Sequence, residues 1–295
     1  MATTVSGQNL YLWRKEAFLQ AVTANVSVKE VDWLLQEITT LDSLTLRLES
    51  FQNYPNITIA YSLTQLTQLW QQRIKDRVPI QYLVGGTNWR NWNLAVAPGV
   101  LIPRPETELI IEIIQRVDLS QQSETHLVDL GTGSGAIAIA LAATFPKAQI
   151  HAVDISPQAL EIARKNAQKT GKANRIKFYQ GSWYSPLTHL KEKITAIVAN
   201  PPYIPTAELS QLQPEVYQHE PHLALDGGKD GLDAVRHLIT ESPQYLHSQG
   251  VWLVEIMLGQ APKVVDMLSA QGDYYGIETI RDLSGIERFV LAYRK

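Results

Sequence analysis

The sequence predicts an α/β protein: a mostly parallel sheet wrapped by helices, preceded by a small all-α helical bundle and a β-hairpin linker. Three observations carry that prediction. From Thr125 onward, strand-like runs alternate with helix-like ones, the pattern of a parallel sheet covered on both faces. The last two strand-like runs, YYGIETIRD and RFVLAYR, come with no helix between them, which predicts an antiparallel hairpin at the sheet edge. The first 78 residues instead space their apolar side chains as helices do. The expected division is therefore 1–78 for the bundle, 79–103 for the linker and 104–295 for the α/β domain.

In the bundle, SVKEVDWLLQEI is the clearest helix. Ser27 and Glu30 have capping-box spacing, and Val31, Leu34, Leu35 and Ile38 follow at i, i+3, i+4 and i+7. YSLTQLTQLWQQRIKDR puts Leu63, Leu66, Trp70 and Ile74 on one face. Between 78 and 103, a Gly-Gly pair and an Asn-rich turn separate short β-like runs, which predicts a hairpin. RPETELIIEIIQRV then opens a helix with acidic residues in its first turn, where the helix dipole favours them.

Five strands follow, at Thr125–Asp129, Gln149–Asp154, Arg175–Tyr179, Ile194–Ala199 and Gly250–Ile256, with helices near 135–145, 156–170, 231–246 and 260–271. Ser156 before Pro157 gives the second of these helices an N-cap and a proline at its first position. With the final hairpin the sheet has seven strands.

Bulk properties narrow the class. The chain has 295 residues, no cysteine and a net charge of −3, so disulfides and thiolate metal sites are excluded. Residues 1–80 carry 7 Lys and Arg against 7 Asp and Glu, leaving 19 against 22 for the remainder. Neither part has the basic excess expected of a protein held on duplex nucleic acid. The start MATTVSGQNLYLWRKEAF lacks a signal-peptide pattern, and the longest apolar run, AIAIALAA, is too short to span a bilayer. A cytoplasmic location, with no membrane or direct nucleic-acid partner, is the expectation.

Three stretches carry chemistry. In HLVDLGTGSGAIAIALA, a strand ending at Asp129 runs through Gly131, Thr132, Gly133, Ser134 and Gly135 into a helix. The backbone there can approach a ligand closely and offer N–H groups at a helix N-terminus. Its spacing, G-x-G-x-G, differs from the dinucleotide fingerprint. Asp154 ends the next strand, 19 residues after Gly135, where a carboxylate can accept both ribose hydroxyls of an adenosyl ligand. Capping the helix near Ser156 is its plainer alternative. Trp183, after the third strand, could border an adenine ring or simply cover the core edge.

The fourth strand, ITAIVA, stops on Asn200, Pro201, Pro202 and Tyr203. Prolines have no N–H, so they cannot extend a central strand, and their carbonyls remain acceptors in a fixed direction. Asn200 adds a side-chain carbonyl. Two converging acceptors at the C-terminal edge of a sheet could hold both hydrogens of a planar NH2 group, with Tyr203 stacked on its face.

These motifs resemble those of class I S-adenosylmethionine-dependent methyltransferases, with their Rossmann-like sheet. More narrowly, PIQYLVG, VLIPRPETE, NPPYIP, HEPHLALDGGKDGL and DLSGIERFV resemble the peptide chain release factor N5-glutamine methyltransferase family. The resemblance implies S-adenosyl-L-methionine as cofactor, S-adenosyl-L-homocysteine as product and no metal. The implied substrate is the glutamine in the Gly-Gly-Gln loop of class 1 peptide chain release factors, docked by the helical part. Gly131, Thr132, Gly133, Ser134, Gly135, Asp154, Trp183 and Asn200 would bind the cofactor. Asn200, Pro201, Pro202 and Tyr203 would bind the glutamine amide, with Asn200, Pro201 and Tyr203 catalytic. Two positions depart from the family pattern: Ser182 stands where an Asp is common, and Met257 where a Gly is common. The alternatives are a DNA adenine N6-methyltransferase, a ribosomal-protein glutamine methyltransferase and a non-catalytic release-factor adaptor.

Overall fold

A computed structural model describes residues 3–119 and 124–295 of the chain. They form two compact units, Met1–Gly85 with Pro214–His219, and Gly86–Gln213 with Glu220–Lys295.

The first unit is built on helices α1 (Gly7–Thr23), α2 (Lys29–Ile38), α3 (Ser43–Arg47), α4 (Leu63–Lys75) and α5 (Ile80–Val84). It also carries a short antiparallel ladder of β1 (Thr3–Val5) and β2 (Ile57–Ile59). The apolar stripes read from the sequence face inward: Val31, Leu34, Leu35 and Ile38 of α2 and Leu66 and Trp70 of α4 share one buried cluster. The start of α2 differs from expectation. Its N-cap is Val28, with no side-chain capping bond, because Glu30 is drawn to the buried Arg73, which it meets at 2.6 and 2.9 Å. A buried guanidinium needs a carboxylate more than a helix end needs a second cap. Glu215, from the helical segment Pro214–His219, completes the pairing of Arg73 at 2.7 Å. The capping box sits instead on α4, between Ser62 and Gln65.

The second unit opens with the hairpin β3 (Gly86–Trp89) and β4 (Trp92–Ala95), followed by a 3₁₀ turn, Pro105–Glu108, and α6 (Leu109–Gln115). Its sheet comprises β5 (His126–Leu130), β6 (Gln149–Asp154), β7 (Ile176–Gln180), β8 (Ile194–Ala199), β9 (Leu246–Glu255), β10 (Tyr274–Arg281) and β11 (Glu287–Arg294). The strand order is β10-β11-β9-β8-β5-β6-β7. Pairings from β9 to β7 are parallel, while β11 runs antiparallel to both its neighbours.

Helices α7 (Ala136–Thr144), α8 (Pro157–Lys169), Asp233–Glu241 and Ala261–Gln271 connect the parallel strands or follow them. Side-chain alternation along the strands divides the core into two. Leu127, Val198, Leu253 and Leu291 pack on one face with α6 and α7. Their chain neighbours Val128, Ala199, Val254 and Val290 pack on the other, against Asp233–Glu241 and Ala261–Gln271. Burying both faces explains why these strands read as continuous apolar runs instead of alternating ones. The chain leaves β5 toward β6 on one side, and β8 lies on the other, so a crevice opens beyond the C-terminal ends of β5 and β8.

Candidate active site

That crevice holds a cavity of about 580 Å³, lined among others by Gly131, Asp154, Trp183, Asn200 and Pro202. Its floor is the turn between β5 and α7, which stays close to the ligand space because Gly131, Gly133 and Gly135 all take positive φ, at 77, 55 and 82°. Gly131, Thr132, Gly133 and Ser134 line the cavity. Gly135 does not; it lets α7 start against α8, where a Cβ would stand 3.0 Å from Ala163.

Asp129, just upstream, is fully buried. Its Oδ2 accepts from Thr132 Oγ1 at 2.5 Å and from the Ala138 amide at 3.1 Å. Burial pushes its carboxyl up to about 7, against the pull of those two donors. Asp154 lies at the end of β6, with Oδ2 accepting from Gly133 N–H at 2.8 Å and Oδ1 from Ser156 N–H at 2.9 Å. Burial raises its pKa as well. Ser156 supplies the N-cap of α8 with its own hydroxyl, which accepts from Ala159 N–H at 3.2 Å. Asp154 therefore braces the glycine loop and still faces the cavity. A further brace comes from buried Asn166 on α8, whose amide bonds the backbone of both Ala95 and Ser134.

Trp183 has a left-handed backbone, φ 49°, an uncommon conformation for a bulky residue. Its ring passes 3.6 Å from where a Gly131 Cβ would be. Ser182 is exposed on the cavity rim.

At the end of β8, Asn200 enters a polar chain. Its Nδ2 donates to Thr107 Oγ1 at 3.0 Å, and Thr107 Oγ1 donates to Glu255 Oε2 at 2.7 Å. The Tyr203 hydroxyl faces the other oxygen, Oε1, at 3.4 Å. Asn200 and Pro202 line the cavity, whereas Pro201 and Tyr203 lie outside its lining. Pro201 is buried. Glu255 is 1% exposed, and burial pushes its carboxyl up to about 7. The same burial, with Glu255 alongside, raises the Tyr203 phenol.

The loop after Tyr203 is tied down from behind. Gln260 Nε2 donates to the carbonyls of Tyr203 and Gly231, at 3.0 and 3.1 Å, while its Oε1 accepts from Met257 N–H at 2.9 Å. Gly231, in GGKDGL, approaches so closely that a Cβ would fall 2.2 Å from the Tyr203 carbonyl oxygen. Sequence reasoning gave no role to Thr107, Glu255 or Gln260. One signal for Glu255 was present: a single acid ending an otherwise apolar strand, VWLVE.

A parallel sheet closed by an antiparallel β11, with a glycine-braced cavity at its switch point, defines a Rossmann-like methyltransferase. The solved hMettl16 catalytic domain, in complex with MAT2A 3'UTR hairpin 6, has this fold: TM-score 0.56, 14% identity and 88% of each chain covered. A family profile described as methyltransferase small domain matches residues 106–219. The chain is 52% identical to the release factor glutamine methyltransferase of Synechocystis sp., over 98% of this chain and 97% of that one. It is 43% identical to the release factor glutamine methyltransferase of Thermosynechococcus vestitus, over 98% and 99%. The chain belongs to the release factor glutamine methyltransferase family.

Proposed function

We propose that the protein transfers a methyl group from S-adenosylmethionine to the side-chain amide nitrogen, N5, of the glutamine in the Gly-Gly-Gln loop of class 1 peptide chain release factors. The observation that carries this reading is the orientation of Asn200. Its Nδ2 is committed to Thr107, so Oδ1 is the end left to accept an N–H from a substrate amide.

The residues present fit the cofactor. The cavity volume suits a ligand of adenosyl-amino-acid size, the glycine loop brings backbone to its wall, and the Asp154 carboxylate faces the cavity with lone-pair sites beyond the backbone N–H groups it accepts from. In this reading Asp154 takes the ribose hydroxyls and Trp183 borders the adenine. Gly131, Thr132, Gly133 and Ser134 flank the methionine part. When bound, S-adenosylmethionine supplies an electrophilic sulfonium methyl group, and the product is the thioether S-adenosylhomocysteine.

An amide nitrogen is a weak nucleophile because its lone pair is delocalised into the carbonyl. Asn200 Oδ1 and the Pro201 carbonyl would each take one N–H of the glutamine amide, stabilising positive charge as it builds on nitrogen. Tyr203 would flank the amide from beyond the cavity lining. Methyl transfer leaves the amide nitrogen with one proton too many, and Asn200 Oδ1 or the Pro201 carbonyl would hold that proton until it passes to water. Holding nitrogen and methyl in line supplies much of the rate enhancement.

The charge balance favours a protein over a duplex DNA substrate. Among the described residues, no helix is long and apolar enough to cross a membrane. The test is mass spectrometry after incubation with S-adenosylmethionine and, in parallel, release factor, ribosomal protein, duplex DNA and RNA. One methyl group on the loop glutamine of release factor alone supports the reading; methylation of DNA or RNA instead would refute it.

A further inference from the structure

Asn200 can act as an acceptor only if its amide is turned the right way round. Its two ends are nearly identical in shape, so packing alone does not choose between them. The choice is made by hydrogen bonding. Thr107 Oγ1 lies within bonding distance of both Asn200 Nδ2 and Glu255 Oε2, and a hydroxyl has one proton to give. An ionised carboxylate only accepts, so it captures that proton. Thr107 is then an acceptor toward Asn200, which must present Nδ2 to it and Oδ1 to the cavity.

Glu255 is an unusual residue to find there. It ends β9, almost wholly inaccessible, and no cation lies within ion-pair distance among the described residues. Burying an unpaired carboxylate is costly. Thr107 is held as firmly: it sits in the 3₁₀ turn Pro105–Glu108, whose preceding carbonyl, on Arg104, accepts from Trp89 Nε1 at 2.9 Å.

We propose that Glu255 is a positioning residue that acts through Thr107 to fix the polarity of the Asn200 amide, keeping its oxygen toward the substrate nitrogen. The inference rests on the acceptor role of Asn200 proposed above. It assigns Thr107 and Glu255 to catalysis without contact between either residue and the substrate.

The experiment is a double-mutant cycle in the full chain, reading the saturated rate of release-factor methylation and, by calorimetry, S-adenosylmethionine affinity. Thr107→Val should lower the rate about tenfold, the effect of one net hydrogen bond, with cofactor affinity unchanged, and Thr107→Ser should restore it. In an Asn200→Ala background, Thr107→Val should lower the rate no further, since there is no amide left to orient. Glu255→Leu provides a second route if Thr107→Val fails to bind cofactor. It removes the acceptor of the Thr107 proton while leaving Asn200 in place, so it should lower the rate and show the same non-additivity, with the melting temperature read alongside because the Thr107 and Tyr203 hydroxyls lose their partner. Equal rate losses with and without Asn200, or a normal rate in both single variants, would overturn the proposal. A normal rate in Asn200→Ala itself would overturn the acceptor role, and this inference with it.

Discussion

Asp154 holds the glycine-rich loop in place: its Oδ2 accepts from the backbone N–H of Gly133 at 2.8 Å, across 21 residues of sequence. The residue expected to meet ribose thus also shapes the turn proposed to flank the methionine part. One substitution removes both.

Asp154→Ala should therefore weaken S-adenosylmethionine binding by about a hundredfold, the loss of two hydrogen bonds to a charged group. The saturated rate should change far less. Calorimetry alongside single-turnover rates checks this, and unchanged affinity would remove Asp154 from the site.

Asn200→Ala should do the reverse. The saturated rate should fall by about two to three orders of magnitude, as for loss of a preorganised group at a reacting centre, while cofactor affinity survives. Abolished binding with a normal residual rate would contradict the assignment.

Two buried carboxyls give opposite pH dependences in stability and in rate. Burial raises Asp129 from 3.8, and Glu255 from 4.5, to about 7. The folded state holds these protons more tightly than the unfolded chain, so their contribution to stability is full below the ordinary carboxylate range and is lost as pH rises through about 7. The melting temperature of the cofactor-free protein should decline across that window, and Asp129→Asn should flatten the decline. The rate should move the other way, because ionised Glu255 orients Asn200. Tyr203, Thr107, Arg288 and Glu106 are the groups acting on that carboxyl. Glu255→Gln should remove the rise in rate through about pH 7; a rise that persists in this variant belongs to another group.

Gly231→Ala should displace the Tyr203 carbonyl, which a Cβ at 231 would approach to 2.2 Å, and would also force alanine to φ 75°. A stability loss of about 1–3 kcal/mol is expected from the backbone strain alone. The rate should fall with it, since the displaced loop carries Asn200. Melting curves and steady-state kinetics measure both; a variant with normal values in each would mean that the loop can shift at no cost.

Much of this fold is legible in the sequence because local patterns carry it. The apolar run Ile194–Ala199 reads as a buried strand, and it is one. Element ends read less well. The helix expected over 231–246 ends at Glu241, because Ser242 and Pro243 turn the chain and Leu246 already pairs with Ile194. Asp154, the glycine loop and Asn200 were visible because each ends a strand at the same sheet edge. The partners that orient Asn200 were not: Thr107 and Glu255 bond across 148 residues, and no local period links them. Ser27 and Glu30 failed for a related reason, a distant Arg73 outbidding a local cap.

At position 257 the main chain carries the tie to Gln260. Met257 offers Gln260 its N–H and carbonyl, at 2.9 and 3.1 Å, and its side chain takes no part in that tie. Nineteen residue types can supply the same N–H, and proline alone cannot. Methionine at 257 therefore keeps the backbone tie to Gln260, whose side chain in turn holds the Tyr203 and Gly231 carbonyls.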